Sequence, residues 1–204
     1  MPSPYSQTTS VYNKLGKKYL DDSKKVIPPK RLDFSSLFVK GQHILDVGCG
    51  GGRDAEFFIG KGLKVTGIDT SSVLINLARK EVPEATFKCA DLLKITFPKN
   101  TSDGIWAEAV LLHLKRKDIP KALKKFYSVL KPEGVLMVEV KKGKGEEFIK
   151  EKISGWNERF YTYFSKKEME TFLKQQSFKI FYSKILPDEN KRSGVSWVTI
   201  LARK

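Results

Sequence analysis

One short run, Asp46-Val-Gly48-Cys49-Gly50-Gly51-Gly52, has the composition of a loop that meets a ligand. Glycines let a backbone turn sharply and lie against a bound molecule. Carboxylates recur after it: Asp54, then Asp69, Asp91 and Glu108. An ionised carboxylate only accepts hydrogen bonds, so a row of them suits hydroxyls, amines and cationic centres. Two further groups carry reactive types. His113 stands within Leu111-Leu-His-Leu, and Lys141, Arg159, Tyr161 and Tyr163 combine cations with phenols. The latter set is fit to hold a carboxylate or a phosphate.

The elements that must position these residues follow from periodicity and punctuation. Residues 42–47 read as a buried strand ending in the glycine run, and 53–60 as a helix stopped by Gly60 and Gly62. A strand over 63–68 ends at Asp69. Ser71 or Ser72 caps a helix to about residue 81, and a strand over 85–90 ends at Asp91. Residues 103–110 form the fourth strand, carrying Ala107 and Glu108. A helix follows Asp118, with Pro120 in its first turn and Pro132 and Gly134 at its end, before a fifth strand over 135–140. This alternation predicts a doubly wound, Rossmann-like α/β sheet.

The rest of the chain reads differently. Residues 141–152 are rich in Gly and Lys and show no clear strand. Ser165 and Glu168 make a capping-box pattern for a helix over 165–176. Strands over 178–186 and 195–202 are joined too closely for a parallel crossover, so they pair antiparallel. That gives a mixed sheet of seven strands with the last antiparallel. Apolar spacing over 8–20 predicts a helix; Pro28-Pro29 breaks the chain, and 30–38 forms a second short helix. Residues 1–40 are thus an N-terminal helical segment and 41–204 the domain proper.

Composition bounds the partners. The 204 residues carry 38 Lys and Arg against 23 Asp and Glu, for a net charge of +15. Such a field draws anions, RNA among them. Only seven of the cations are Arg, however, and lysine is the hydrated charge of solvated coats. No apolar run approaches the ~20 residues that span a bilayer, and the first ten residues lack the basic and apolar regions of a signal peptide. With only Cys49 and Cys89, the expectation is a reduced cytoplasmic protein without a metal centre.

Two phosphate-binding readings of the glycine run compete. A mononucleotide P-loop requires Gly-Lys-Ser/Thr, but Gly52 is followed by Arg53-Asp54. A dinucleotide fold fits better: Gly50-Gly-Gly52-Arg-Asp-Ala55 matches G-x-G-x-x-A, and Asp69 lies where a ribose-binding acid belongs. Electrostatics opposes it, because pyrophosphate binds helix amides free of competing negative charge. An acidic rim suits a cationic ligand without phosphate, such as S-adenosylmethionine.

ILDVGCGGGRD (44–54), VTGIDTS (65–71), CADLLKITFP (89–98), DGIWAEAVLLHL (103–114) and VLKPEGVLMVEVKKG (129–143) together resemble the successive motifs of class I S-adenosylmethionine-dependent methyltransferases, closest to the small type 11 group. The resemblance implies that Gly48, Gly50 and Gly52, with Cys49, admit the methionine part of the cofactor, and that Asp46 favours its ammonium. It implies that Asp69 takes the ribose hydroxyls, that Thr70, Asp91 and Leu92 surround the adenine, and that Ala107 and Glu108 lie near the sulfonium. Tyr12 and Tyr19 match positions that close over the cofactor, with core packing as the alternative. Arg53 either touches the cofactor carboxylate or pins its own helix.

Methyl transfer needs alignment and a dry pocket, and a base only for a protonated nucleophile. His113 is the candidate base, or else a lining residue. Lys141, Arg159, Tyr161 and Tyr163 would face the acceptor. The Asn/Asp-Pro-Pro-aromatic and Pro-Cys motifs of base-modifying enzymes are absent. The expected acceptor is a small molecule with an O, N or S nucleophile. The alternatives are RNA or protein bound through Lys115-Arg-Lys117, Lys121, Lys124 and Lys125, or a non-catalytic cofactor-binding partner. The expected assembly is a monomer or homodimer.

Overall fold

The computed structural model describes residues 3–24, 30–94, 96–189 and 192–204. The expected break at Pro28-Pro29 lies outside the described residues. Central strand β1 (His43–Val47) pairs in parallel with β2 (Lys64–Asp69) on one side and β4 (Ser102–Glu108) on the other. β3 (Thr86–Cys89) extends the sheet beyond β2, and β5 (Leu130–Lys141) continues it beyond β4, both in parallel. Next come β9 (Ser196–Arg203), antiparallel to β5, and β8 (Lys179–Pro187), antiparallel to β9. The order is β3-β2-β1-β4-β5-β9-β8, the seven-stranded mixed sheet read from the sequence.

Side chains of a strand alternate between faces, and this alternation divides the core. Ile44 and Trp106 point into one cluster with Phe34, Phe58 and Phe87. That cluster lies under α2 (Lys30–Ser35), α3 (Arg53–Gly60) and α4 (Ser72–Glu81). Leu45, Ile105 and Ala107 point into the other with Leu123, Phe126 and Ile200, under α5 (Ile119–Val129) and α6 (Lys166–Gln175). Each fully buried large side chain contributes roughly 1.5–3 kcal/mol. Two caps form as expected, Ser71 accepting from the Leu74 amide and Ser165 from the Glu168 amide, but the capping box is only half made because the Glu168 carboxylate pairs with Arg116.

Three boundaries differ from expectation. Helix α1 runs over Pro4–Lys24, longer than the apolar spacing indicated, and hinges at Gly16, where φ is 48°. Strand β5 begins at Leu130, and a register shift opposite Ser102 and Gly104 absorbs Pro132 and Gly134. Segment 141–152 does hold a strand: β6 (Glu146–Lys150) pairs antiparallel with β7 (Glu158–Thr162) in a separate two-stranded sheet. Nearly all of β6 is exposed, so its sequence has no apolar alternation to read. Helix α1 packs across α4 and β7, over the carboxyl ends of the strands.

Candidate active site

The glycine loop is held open by its own backbone. Gly48 and Gly50 have φ of 75° and 53°, the left-handed region that favours glycine. The Gly48 and Cys49 amides donate to the Ile68 carbonyl at 2.8 and 3.0 Å. The Asp69 carboxylate ties the loop to the tip of β2, accepting from the Gly50 amide at 3.0 Å and the Ser71 amide at 2.8 Å. A Cβ on Gly51 would lie 2.6 Å from Leu20 Cδ1, so α1 rests directly on the loop. Between loop, strand tips and α1 lies a cavity of about 270 Å³.

Most of the residues singled out in the sequence line this cavity. Gly48, Cys49, Gly50, Arg53, Asp46 and Asp69 form its floor, with Thr70, Asp91 and Leu92 at one end and Glu108 beyond the loop. Tyr12 and Tyr19, edge to face at 4.9 Å, cover it from α1. Thr9 Oγ1, on the same helix, lies 2.8 Å from Thr70 Oγ1.

Three expected residues do not line it. Ala107 belongs to the core on the α5 side, because strand alternation that turns Glu108 to the cavity turns Ala107 away. A Cβ on Gly52 would meet Ala78, Phe87 and Val82 at 3.3–3.4 Å; this glycine admits close packing of α3 on its neighbours. Tyr163 follows the end of β7, stacks on Tyr161 and packs against Gly143.

The carboxylates are less free than a bare acidic rim. The Arg53 guanidinium bridges Asp54 and Glu108, with Nη2 at 2.6 Å from an oxygen of each. Arg31 reaches Asp54 at 3.0 Å, and Lys30 sits among Glu139 at 2.6 Å, Glu189 at 3.2 Å and Glu108 at 3.6 Å. Arg53 is therefore committed to pinning its helix to the tip of β4. Burial and the nearby Asp54 charge push Glu108 up to about 8. Burial likewise pushes Asp46 and Asp69 above the usual carboxylate range. Asp46, buried like Asp54 and Glu139, differs from them in that its Oδ2 has no hydrogen-bond partner among the described residues.

The far wall carries the cations. Glu151, from the turn between β6 and β7, receives Lys141 Nζ at 2.6 Å, Arg159 Nη2 at 2.7 Å and the Tyr161 hydroxyl at 2.7 Å. His113 Nδ1 lies 2.7 Å from the Phe160 carbonyl oxygen. A carbonyl only accepts, so Nδ1 carries the proton and Nε2 accepts from the Tyr12 hydroxyl at 2.9 Å. That hydroxyl in turn accepts from Arg159 Nη1 at 2.7 Å. Burial, with Arg159 nearby, pushes His113 down to about 3. Both its nitrogens are engaged and it is a weak base, so the geometry makes it a brace for Tyr12 rather than a direct proton acceptor. His43, at the opposite end of β1, bridges Ser102 and Thr66 at 3.0 and 2.9 Å.

Sequence reasoning missed the counter-ion Glu151 and the trio Asp188, Arg192 and Trp197, all three of which line the cavity. Their partners lie only four to ten residues away, but Glu151, Asp188 and Arg192 stand on irregular turns that carry no strand or helix period to read. Among the described residues no group of His, Cys, Asp and Glu is placed to hold a metal ion, and no helix is long and apolar enough to cross a membrane.

The donor set fits an adenosyl sulfonium compound. Asp46 offers a buried, unpartnered acceptor to a cation, the loop glycines allow close approach, and Asp69 keeps lone pairs for hydroxyls. Comparison with known proteins agrees. A family profile described as a methyltransferase domain matches residues 44–134. The 1,6-didemethyltoxoflavin-N1-methyltransferase of Burkholderia thailandensis, solved with 1,6-didemethyltoxoflavin and S-adenosylhomocysteine, superposes with a TM-score of 0.79 at 20% identity, covering 100% of this chain and 91% of that one. An S-adenosylmethionine-dependent methyltransferase structure from Methanosarcina mazei gives 0.76 at 23% identity, covering 88% and 98%. The ubiquinone biosynthesis O-methyltransferase of Coxiella burnetii is 36% identical over 77 residues, 35% of this chain and 33% of that protein. The match thus spans about a third of this curated relative. Residues 44–134 thus match a methyltransferase domain, and the chain as a whole has the fold of S-adenosylmethionine-dependent methyltransferases.

Proposed function

We propose that this protein transfers a methyl group from S-adenosylmethionine to an oxygen, nitrogen or sulfur nucleophile of a small molecule. The observation that carries the reading is Asp46: a buried carboxylate with one unpartnered oxygen, beside a glycine loop held open by Asp69. Asp46 would meet the cofactor's ammonium and Asp69 its ribose hydroxyls, with Thr70, Asp91 and Leu92 around the adenine. Tyr12 and Tyr19 would close over it, making the N-terminal segment of residues 1–40 the cover of the site. Bound S-adenosylmethionine supplies a methyl group already activated by its sulfonium. The chain then has to align the acceptor and exclude water. The Arg159–Tyr12–His113 series holds that wall in place and keeps His113 neutral.

Two relatives support a small acceptor, since the toxoflavin and ubiquinone enzymes are named for small molecules. The RNA reading lacks comparable support. Helix α5 buries Ile119, Ala122, Leu123, Phe126 and Val129, so its lysines read as the wet face of an amphipathic helix. The two free thiols, one of them exposed, suit a reducing compartment such as the cytoplasm. The test is release of S-adenosylhomocysteine from S-adenosylmethionine with a panel of small acceptors and with bulk RNA. Turnover with a small acceptor is expected; turnover with RNA alone would refute the proposal.

A further inference from the structure

We infer that the cavity wall opposite the glycine loop is a subsite for an anionic group of the acceptor, a carboxylate or a phosphate, held by Lys141, Arg159 and Arg192 beside Tyr161 and Trp197. The inference rests on the methyltransferase reading of the cavity.

Lys141 and Arg159 are 5% and 3% exposed, yet both line the cavity, as Arg192 does. Buried cations are costly unless they are paired and hydrogen-bonded. Among the described residues two carboxylates serve these three cations. Glu151 is shared by Lys141, Arg159 and the Tyr161 hydroxyl. Asp188 is taken by Arg192, at 2.6 Å through Nη2 and 3.0 Å through Nε, and by Trp197 Nε1 at 2.8 Å. The other two carboxylates on this side, Glu139 and Glu189, are engaged by Lys30.

The cluster keeps binding capacity in reserve. Arg159 Nε has no partner among the described residues. An ammonium has three protons, and the hydrogen bond to Glu151 uses one of those on Lys141. Glu151 is not among the cavity-lining residues, so it grips the cations from behind rather than filling the space before them.

The scaffold fixes the set. Lys141 and Trp197 are paired residues of β5 and β9, and Lys141 Nζ lies 4.1 Å over the Tyr161 ring. The Arg192 guanidinium lies 6.0 Å from the Trp197 ring. The three cations thus share two direct carboxylate partners, flanked by two aromatic residues. An acceptor carrying a carboxylate or phosphate adds charge-assisted hydrogen bonds to these donors; a neutral or cationic acceptor does not.

The test uses the protein loaded with S-adenosylhomocysteine and titrated by calorimetry with inorganic phosphate and, separately, with succinate, against sodium chloride at equal ionic strength. Saturable binding of at least one anion is expected, and the tighter of the two identifies the head group. Arg192 is partly exposed, so its variants should fold. Arg192→Gln should weaken anion binding by about tenfold or more and Arg192→Lys by only about threefold. Affinity for S-adenosylhomocysteine should stay within about twofold in both, because the cofactor's contacts are placed at the glycine loop. Anion binding no stronger than chloride, or unchanged by Arg192→Gln, would overturn the inference. So would a parallel loss of S-adenosylhomocysteine affinity, which would assign the cluster to the cofactor's own carboxylate. Failure of the unaltered protein to bind S-adenosylhomocysteine at all would refute the methyltransferase reading, and the subsite with it.

Discussion

Asp69→Asn separates two roles that one carboxylate combines. In the structure Asp69 accepts from the Gly50 and Ser71 amides at 3.0 and 2.8 Å. Hydrogen bonds to a charged group contribute roughly 1.5–3 kcal/mol each, and an unmet buried amide costs about 1–3 kcal/mol. Asparagine keeps one acceptor oxygen and sets its NH₂ against the other amide, for a loss of about 2–4 kcal/mol before compensation. Burial already pushes Asp69 above the usual carboxylate range, so removing its charge recovers part of a desolvation penalty. The expected net destabilisation is about 1–3 kcal/mol, read by urea denaturation at neutral pH. The same change removes charged hydrogen bonds to the ribose, so S-adenosylhomocysteine affinity should fall about a hundredfold by calorimetry. Lost stability with intact affinity would show Asp69 to be only a tether for the loop. Intact stability would contradict the hydrogen-bonding argument itself.

Other expectations follow from neighbouring residues. A Cβ on Gly48 would lie 2.7 Å from the Val110 side chain at a φ of 75°, so Gly48→Ala should destabilise by roughly 1–3 kcal/mol. Adding Val110→Ala should recover the steric part of that loss and leave the conformational part, as a double-mutant cycle by denaturation would measure. Glu108, pushed up to about 8, contributes stability that is present below the ordinary glutamate range and lost as pH rises through about 8. Glu108→Gln should therefore gain on the unaltered protein across that window, by up to about 1.4 kcal/mol per pH unit. Parallel stability curves would contradict the assignment. His113, pushed down to about 3, should show no imidazole titration between pH 5 and 8 and a proton on Nδ1, both by nitrogen-15 NMR. A titration midpoint near 6.5 would remove the Tyr12 brace.

The part of the site legible in the sequence is the part made by consecutive residues. The glycine loop and the acids at the tips of β1, β2, β3 and β4 stand out because each strand announces its own end. Residue face within an element was less legible. Ala107 and Glu108 are neighbours, and only the pleat sends one to the core and the other to the cavity. Gly52 shares a run with Gly48 and Gly50 yet serves helix packing. Least legible was the acceptor wall. Lys141, Arg159 and Tyr161 were readable as types, but Glu151 lies on a hairpin whose exposed β6 lacks a pattern. Asp188 and Arg192 pair within the loop between β8 and β9, and the antiparallel pairing of those strands brings Trp197 to them. Tyr163 shared the aromatic spacing of Tyr161 and packs elsewhere because β7 ends at Thr162.

The most direct test is a competition for the cavity between two adenosine ligands, with calorimetry on the unaltered protein. Strand-tip acids around an unpartnered Asp46 oxygen predict saturable one-to-one binding of S-adenosylmethionine and no measurable binding of NAD at equal concentration. Preference for the dinucleotide would mean that these carboxylates do not select a cationic ligand, and the assignment of the site would be wrong.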